Sequence, residues 1–132
     1  MTLRLGDTAP DFTVDSTAGT ISFHEWIGDS WAFFFSHPAD FTPVCTTEMG
    51  RTAQLGEQFA ARNVKPIGLS TDTTEEHIKW IEDVNDTQHT TLEFPIVADP
   101  NCEVAKLYDM IHPGESETSA VRSVFIIDPN RK

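Results

Sequence analysis

Cysteine is scarce in this chain: Cys45 and Cys102 are the only two. Two thiols close at most one disulfide, which excludes a disulfide-stapled scaffold. No Cys-x-x-Cys occurs, so neither a vicinal redox pair nor a paired-cysteine zinc site is encoded. The histidines His24, His37, His77, His89 and His112 are scattered, without the close spacing of a metal motif, and no metal or cofactor is expected. Positive charge is also short. Nine Lys and Arg stand against 21 Asp and Glu, a formal net charge of -12. Such a surface repels phosphate backbones and anionic headgroups, so neither nucleic acid nor a membrane is expected as a partner. No apolar run is long enough to span a bilayer, and no charged-then-apolar leader opens the chain. These absences point to a cytoplasmic protein. Internal repeats and low-complexity tracts are missing as well. What remains is 132 residues, enough for one domain (1–132) with a real core.

Strand and helix patterns alternate along that length. Residues 6–12 are punctuated like a loop. Thr20-Ile21-Ser22-Phe23-His24 reads as a short strand before a turn at residues 26–29. The aromatic run 31–36 reads as a buried strand, with Trp31 and Phe33 to Phe35 in the core. A helix is expected over 43–62, with Met49, Ala53, Phe59 and Ala60 facing inward. Residues 66–71 read as a second buried strand. Thr73 and Glu76 form a capping box, after which Ile78, Ile81 and Val84 recur at helical spacing beside Trp80. Residues 94–97 read as a brief edge strand, because Pro95 cannot donate to a ladder. Asp99-Pro100 opens another helix, with Val104, Leu107 and Tyr108 apolar. Residues 113–120 form a polar loop, and 121–127 a third buried strand. The alternation predicts an α/β domain with helices covering a central sheet. The chain then stops at Asp128-Pro129-Asn130-Arg131-Lys132, which is turn chemistry rather than a usual terminus. An apolar strand followed only by a turn is expected to belong to a longer, here truncated, protein.

The chemistry concentrates at Cys45. The strand 31–36 ends at His37-Pro38. Thr42 suits a helix N-cap, and Pro43 the first helical position, where a missing N–H costs nothing. Cys45 then falls in the first helical turn, where free backbone N–H groups and the helix dipole favour an anion. A cysteine held there as a thiolate is a nucleophile.

Pro38, Thr42 and Cys45 reproduce a Pro-x-x-x-Thr-x-x-Cys signature, and Arg122 stands at the start of a late strand. In these features the chain resembles the peroxiredoxins. The segment Ser36-His37-Pro38-Ala39-Asp40-Phe41-Thr42-Pro43-Val44-Cys45-Thr46-Thr47-Glu48 is similar to their one-cysteine, peroxiredoxin 6-like branch. The likeness runs from about residue 3 to the end. It implies a thioredoxin-like fold, a central mixed sheet flanked by helices, whose last strand, helix and C-terminal dimerisation extension would be missing here. It implies a thiol-dependent peroxidase that reduces hydrogen peroxide and organic hydroperoxides through a sulfenic acid on Cys45. By the same resemblance Thr42, Pro38, Arg122 and Glu48 join Cys45 in the catalytic site; His37, adjacent to Pro38, is a candidate to tune the substrate pocket or else packs the turn. The implied partners are the peroxide, an external thiol or other reductant, and further copies of the chain in a homodimer or larger oligomer. Cys102 lies between neighbours Asp99 and Glu103 and does not match a resolving position.

Two other functions use the same residues or their neighbours. A redox sensor or holdase would signal through oxidation of Cys45 without sustained turnover. A phospholipase-like hydrolase would need a Gly-x-Ser-x-Gly-like segment with a histidine and an aspartate. Ser30 in Gly28-Asp29-Ser30-Trp31-Ala32 and His24 fit that pattern, but Ala32 replaces its last glycine and Asn130 its aspartate.

Overall fold

The computed structural model describes residues 6–37, 43–108 and 123–131, with backbone only for 43–45. Pro38, Thr42 and Arg122 lie outside these residues. So do the polar loop expected at 113–120 and the first residues of the last expected strand.

Two short strands, β1 (Thr13–Ser16) and β2 (Gly19–Ser22), lead into helix α1 (Phe23–Ile27). Strand β3 (Trp31–Ser36) is followed by α2 (Pro43–Gln54), α3 (Gly56–Ala61) and β4 (Val64–Ser70). Helix α4 (Thr74–Thr87), strand β5 (Ile96–Ala98), helix α5 (Glu103–Leu107) and strand β6 (Val124–Ile127) complete the order. The six strands form one mixed sheet in the order β2-β1-β5-β4-β3-β6. β3, β4 and β5 run parallel, while β1 and β6 join them antiparallel. The expected α/β architecture is therefore present, with helices on both faces of the sheet.

Strand alternation builds two cores. On one face Phe34, Ile67, Leu69 and Val97 pack with Phe12, Phe23, Ile27, Val104 and Tyr108, enclosing α1 and α5. The Phe12 and Phe23 rings stack 4.6 Å apart, and Tyr108 meets Phe34 edge-on at 5.0 Å. On the other face Met49, Trp80, Val84, Leu92, Phe94 and Ile96 gather beneath α2 and α4, with Phe35 and Ala53 against them. Gly50 permits the close approach of α2 to α4, since a Cβ there would lie 2.5 Å from the Gln88 side chain.

Several expectations are corrected. β1 has weak alternation in sequence and was not anticipated. Phe23 and His24 are helical rather than extended, because Phe23 and Ile27 bury one side of α1 completely. The helix expected over 43–62 breaks at Leu55, whose N–H reaches both Arg51 O and Thr52 O, and restarts at Gly56. Ala60 is exposed. The inner face of α4 is His77, Trp80 and Val84, and Ile78 is 47% exposed. β5 is not an edge strand: it lies between β1 and β4, and Pro95 stands just before it, where only its carbonyl is used, by Gly68 N–H at 3.0 Å. β6 is not buried. It lies at the sheet edge of the described residues, leaving Val124 and Ile126 exposed at 59% and 57%. Trp31 at the start of β3 is likewise outside the core.

Candidate active site

The carboxyl ends of parallel strands, where helices begin, are where α/β sheets present reactive groups. Here β3 ends at Ser36, β4 at Ser70 and β5 at Ala98, with α2, α4 and α5 starting beyond them. Pro43 is the first residue of α2, as its fixed φ favours, and Cys45 lies in the first turn.

His37, which precedes Pro38 in the chain, is 2% exposed and donates its N–H to Leu69 O at 2.9 Å. Ser123, which follows Arg122, is tied to the same strand end. Ser36 N–H donates to Ser123 O at 2.9 Å, and Ser123 N–H donates to Ser36 Oγ at 3.1 Å. The fold thus brings three chain neighbours of the signature residues to one place: His37, the first turn of α2, and Ser123. Glu48 sits one turn beyond Cys45 on α2, exposed, and borders a cavity of about 630 Å³. That cavity is shaped largely by Phe33, Phe35, Leu55 and Phe59, and Ser36 and Ser123 open onto it.

A buried polar cluster behind this edge escaped the sequence reading. Trp80 is fully buried, and its indole N–H donates to Thr46 Oγ1 at 2.9 Å. The Trp80 ring centroid lies 4.8 Å from that of His37. His77, also fully buried, bonds through Nε2 to Val97 O at 2.9 Å, which fixes that nitrogen as the donor. A buried tryptophan N–H needs an acceptor, so Trp80 signals a polar partner, but Thr46 lies 34 residues away and carries no local sign of being that partner.

The second cysteine has different surroundings. Cys102 is 7% exposed and stands at the N-cap of α5 with φ of 58°. The first amides of that helix are taken by Asp99, which accepts from Val104 N–H at 3.2 Å and Ala105 N–H at 2.8 Å. Burial raises the Asp99 carboxyl above the usual carboxylate range, opposed in part by these amides and by Glu103 N–H. Burial likewise pushes the Tyr108 hydroxyl above the ordinary phenol range, with the charge of Asp11 adding to it, and that hydroxyl donates to Pro10 O.

The hydrolase residues are each engaged elsewhere. Ser30 Oγ donates to Asn63 Oδ1 at 2.8 Å, and the His24 ring is bonded to Ala9 O at 2.7 Å. Asn130 lies in a turn, its N–H on Asp128 Oδ1. Among the described residues no cluster of His, Cys, Asp and Glu could hold a metal ion, and no helix is long and apolar enough to cross a membrane.

Comparison with known proteins matches residues 5–132 to the AhpC/TSA family. The chain is 48% identical over 130 residues to a 1-Cys peroxiredoxin of Dictyostelium discoideum, covering 98% of this chain and 54% of that protein. It is 47% identical over 138 residues to human peroxiredoxin-6, covering 98% of this chain and 62% of that one. Among solved structures, a C45S mutant of the peroxiredoxin 6 of Arenicola marina superposes with a TM-score of 0.92 at 43% identity, over 98% of this chain and 62% of the other. A yeast mitochondrial 1-Cys peroxiredoxin, studied for thiol resolution via glutathione/thioredoxin systems, gives 0.89 at 43% identity, over 99% and 65%. The chain therefore spans little more than half to two thirds of the length of these relatives. Their fold is thioredoxin-like, as is the sheet described above.

Proposed function

The chain belongs to the AhpC/TSA family, and from that premise we propose that it reduces hydrogen peroxide and organic hydroperoxides with Cys45 as the attacking thiol. The observation that carries this reading is the position of Cys45 in the first turn of α2, directly after Pro43 and at the carboxyl edge of the parallel strands. Backbone amides there favour an anion.

The reaction is a displacement at oxygen. The thiolate sulfur bonds to one peroxide oxygen, the O–O bond breaks, and the other oxygen leaves with the electron pair as hydroxide or alkoxide, then takes up a proton. Sulfur is left as a sulfenic acid. One external thiol displaces water from it to form a mixed disulfide, and a second thiol releases Cys45. An ordinary cysteine, with a pKa of about 8.5, is only about 3% thiolate at neutral pH, so complete ionisation gains roughly thirty-fold. Enzymatic accelerations start near roughly a million-fold. The larger share must come from stabilising charge on the leaving oxygen.

Arg122 suits that task because its guanidinium stays charged and presents a fixed fork of donors. Thr42 Oγ and the Cys45 N–H supply further donors, Pro38 shields the sulfur, Glu48 orients Arg122, and His37 shapes the pocket wall. The double tie between Ser36 and Ser123 supports this set, since it anchors the chain next to Arg122 at the end of β3. A reducing, cytoplasmic setting is proposed on the same footing, because a one-thiol cycle needs an abundant external thiol. A small thiol or a thiol protein is the proposed reductant, and a homodimer or larger oligomer the proposed assembly of the full-length protein.

With excess dithiothreitol, the chain is expected to consume many equivalents of hydrogen peroxide, and Cys45→Ser none above the background of the reductant. Sustained turnover by Cys45→Ser would refute the assignment.

A further inference from the structure

We propose that Trp80 is a positioning residue for the reactive segment, holding its two ends through His37 on one side and Thr46 on the other. The inference rests on Cys45 being the peroxide-reactive thiol. In the chain, His37 immediately precedes residues 38–45 and Thr46 immediately follows them. Both flanks meet the same side chain. The indole ring packs against the His37 imidazole at 4.8 Å, and the indole N–H donates to Thr46 Oγ1 at 2.9 Å.

Trp80 is suited to act as a fixed post. It is fully buried on the inner face of α4. One turn earlier, His77 fastens that face to β5 through Val97 O, and Val84 continues it into the core. The start of α4 is held by the reciprocal bonds of Thr73 and Glu76. The Trp80–Thr46 bond therefore connects a braced helix to the turn of α2 that carries Cys45. The bond acts next to the cysteine, because Thr46 is 8% exposed and adjacent to it in the chain. Peroxide displacement needs the sulfur, both peroxide oxygens and the donors in line. Misplacement of about 1 Å costs up to about a hundred-fold in such reactions. Alkylation by a small electrophile needs a thiolate but no second set of donors, so it is far less sensitive to that alignment.

The test is a double-mutant cycle. Trp80→Phe keeps an aromatic ring against His37 and loses the N–H. Thr46→Val keeps the side-chain shape and loses the acceptor. Rapid-mixing rates of Cys45 oxidation by hydrogen peroxide and of its alkylation by iodoacetamide are measured for each protein across pH, beside the urea midpoint. Each single variant is expected to lower the peroxide rate about ten-fold while changing alkylation much less. The double variant is expected to be no slower than the slower single, because both remove one interaction. Thr46→Ser is expected to recover the rate lost in Thr46→Val. A peroxide rate that survives Trp80→Phe, losses that add in the double variant, or losses that only track the urea midpoint would overturn the positioning role. A parent chain no faster than free cysteine would instead refute the peroxidase reading, and this inference with it.

Discussion

Cys45 and Cys102 both stand at the start of a helix, and the amides beside Cys102 are already engaged. At α5 the first amides are committed to Asp99. At α2 the sequence places no acidic side chain in the first turn. Replacing Cys102 with Ala is therefore expected to leave the peroxide rate unchanged in stopped-flow measurements, and a large loss would give Cys102 a part in the cycle. The location of Cys45 was legible from its neighbours, because Pro43 and the aromatic run before it act locally. The Trp80–Thr46 bond was not, because its partners are 34 residues apart and meet only through the packing of α2 on α4. His37 was readable as a neighbour of the site, but its burial was not. Glu48 was readable as a residue one turn from the cysteine.

At the scale of elements, local chemistry again marks the limit of what the sequence conveys. The N-cap half of the capping box at Thr73 is present, with Thr73 Oγ1 accepting from Glu76 N–H at 3.2 Å, while the Glu76 carboxylate accepts from the Thr73 hydroxyl. Thr73→Ala is expected to cost about 1 kcal/mol in urea unfolding. The Asp99 cap gives a pH prediction. Its carboxyl is raised in the folded chain, so the native state holds its proton more tightly than the unfolded state. Ionisation then costs stability, and this loss accrues as pH rises from the ordinary carboxylate value, 3.8, through the raised folded value. Asp99→Asn is expected to remove that slope, so the variant gains on the parent chain across this window in urea midpoints taken from pH 4 upward. Parallel curves for the two proteins would contradict it. The break at Leu55, the interior position of β5 and the exposure of β6 all depend on which elements become neighbours, and hydrophobic pattern alone does not specify neighbours.

At the scale of the molecule, the described residues form a well-packed interior and leave an apolar patch on β6, at the edge of the described sheet. Val124 and Ile126 project from the edge strand β6, close to the cavity bounded by Phe33, Phe35 and Phe59. Exposed edges with apolar side chains promote association. The 132-residue chain is accordingly expected to self-associate with rising concentration in light scattering despite its charge of -12, and Val124→Lys with Ile126→Lys to suppress it. Unaltered scattering in that pair would remove β6 as the contact. The α/β class was legible because alternation of strand and helix patterns survives over the whole chain. The strand order was not, since β1 and β2 enter the sheet beside β5 rather than beside β3.

Reaction of Cys45 with peroxide as a tuned nucleophile is the decisive property of this chain. The direct measurement is rapid mixing of the reduced chain with one equivalent of hydrogen peroxide, followed by intact mass, free-thiol counting and trapping of sulfenic acid. Rapid loss of one thiol, with the trapped adduct on Cys45 and Cys102 still reduced, is the predicted result. Oxidation no faster than that of free cysteine would contradict it, whereas rapid loss of both thiols with no oxygen gained would give Cys102 the resolving role instead of an external thiol.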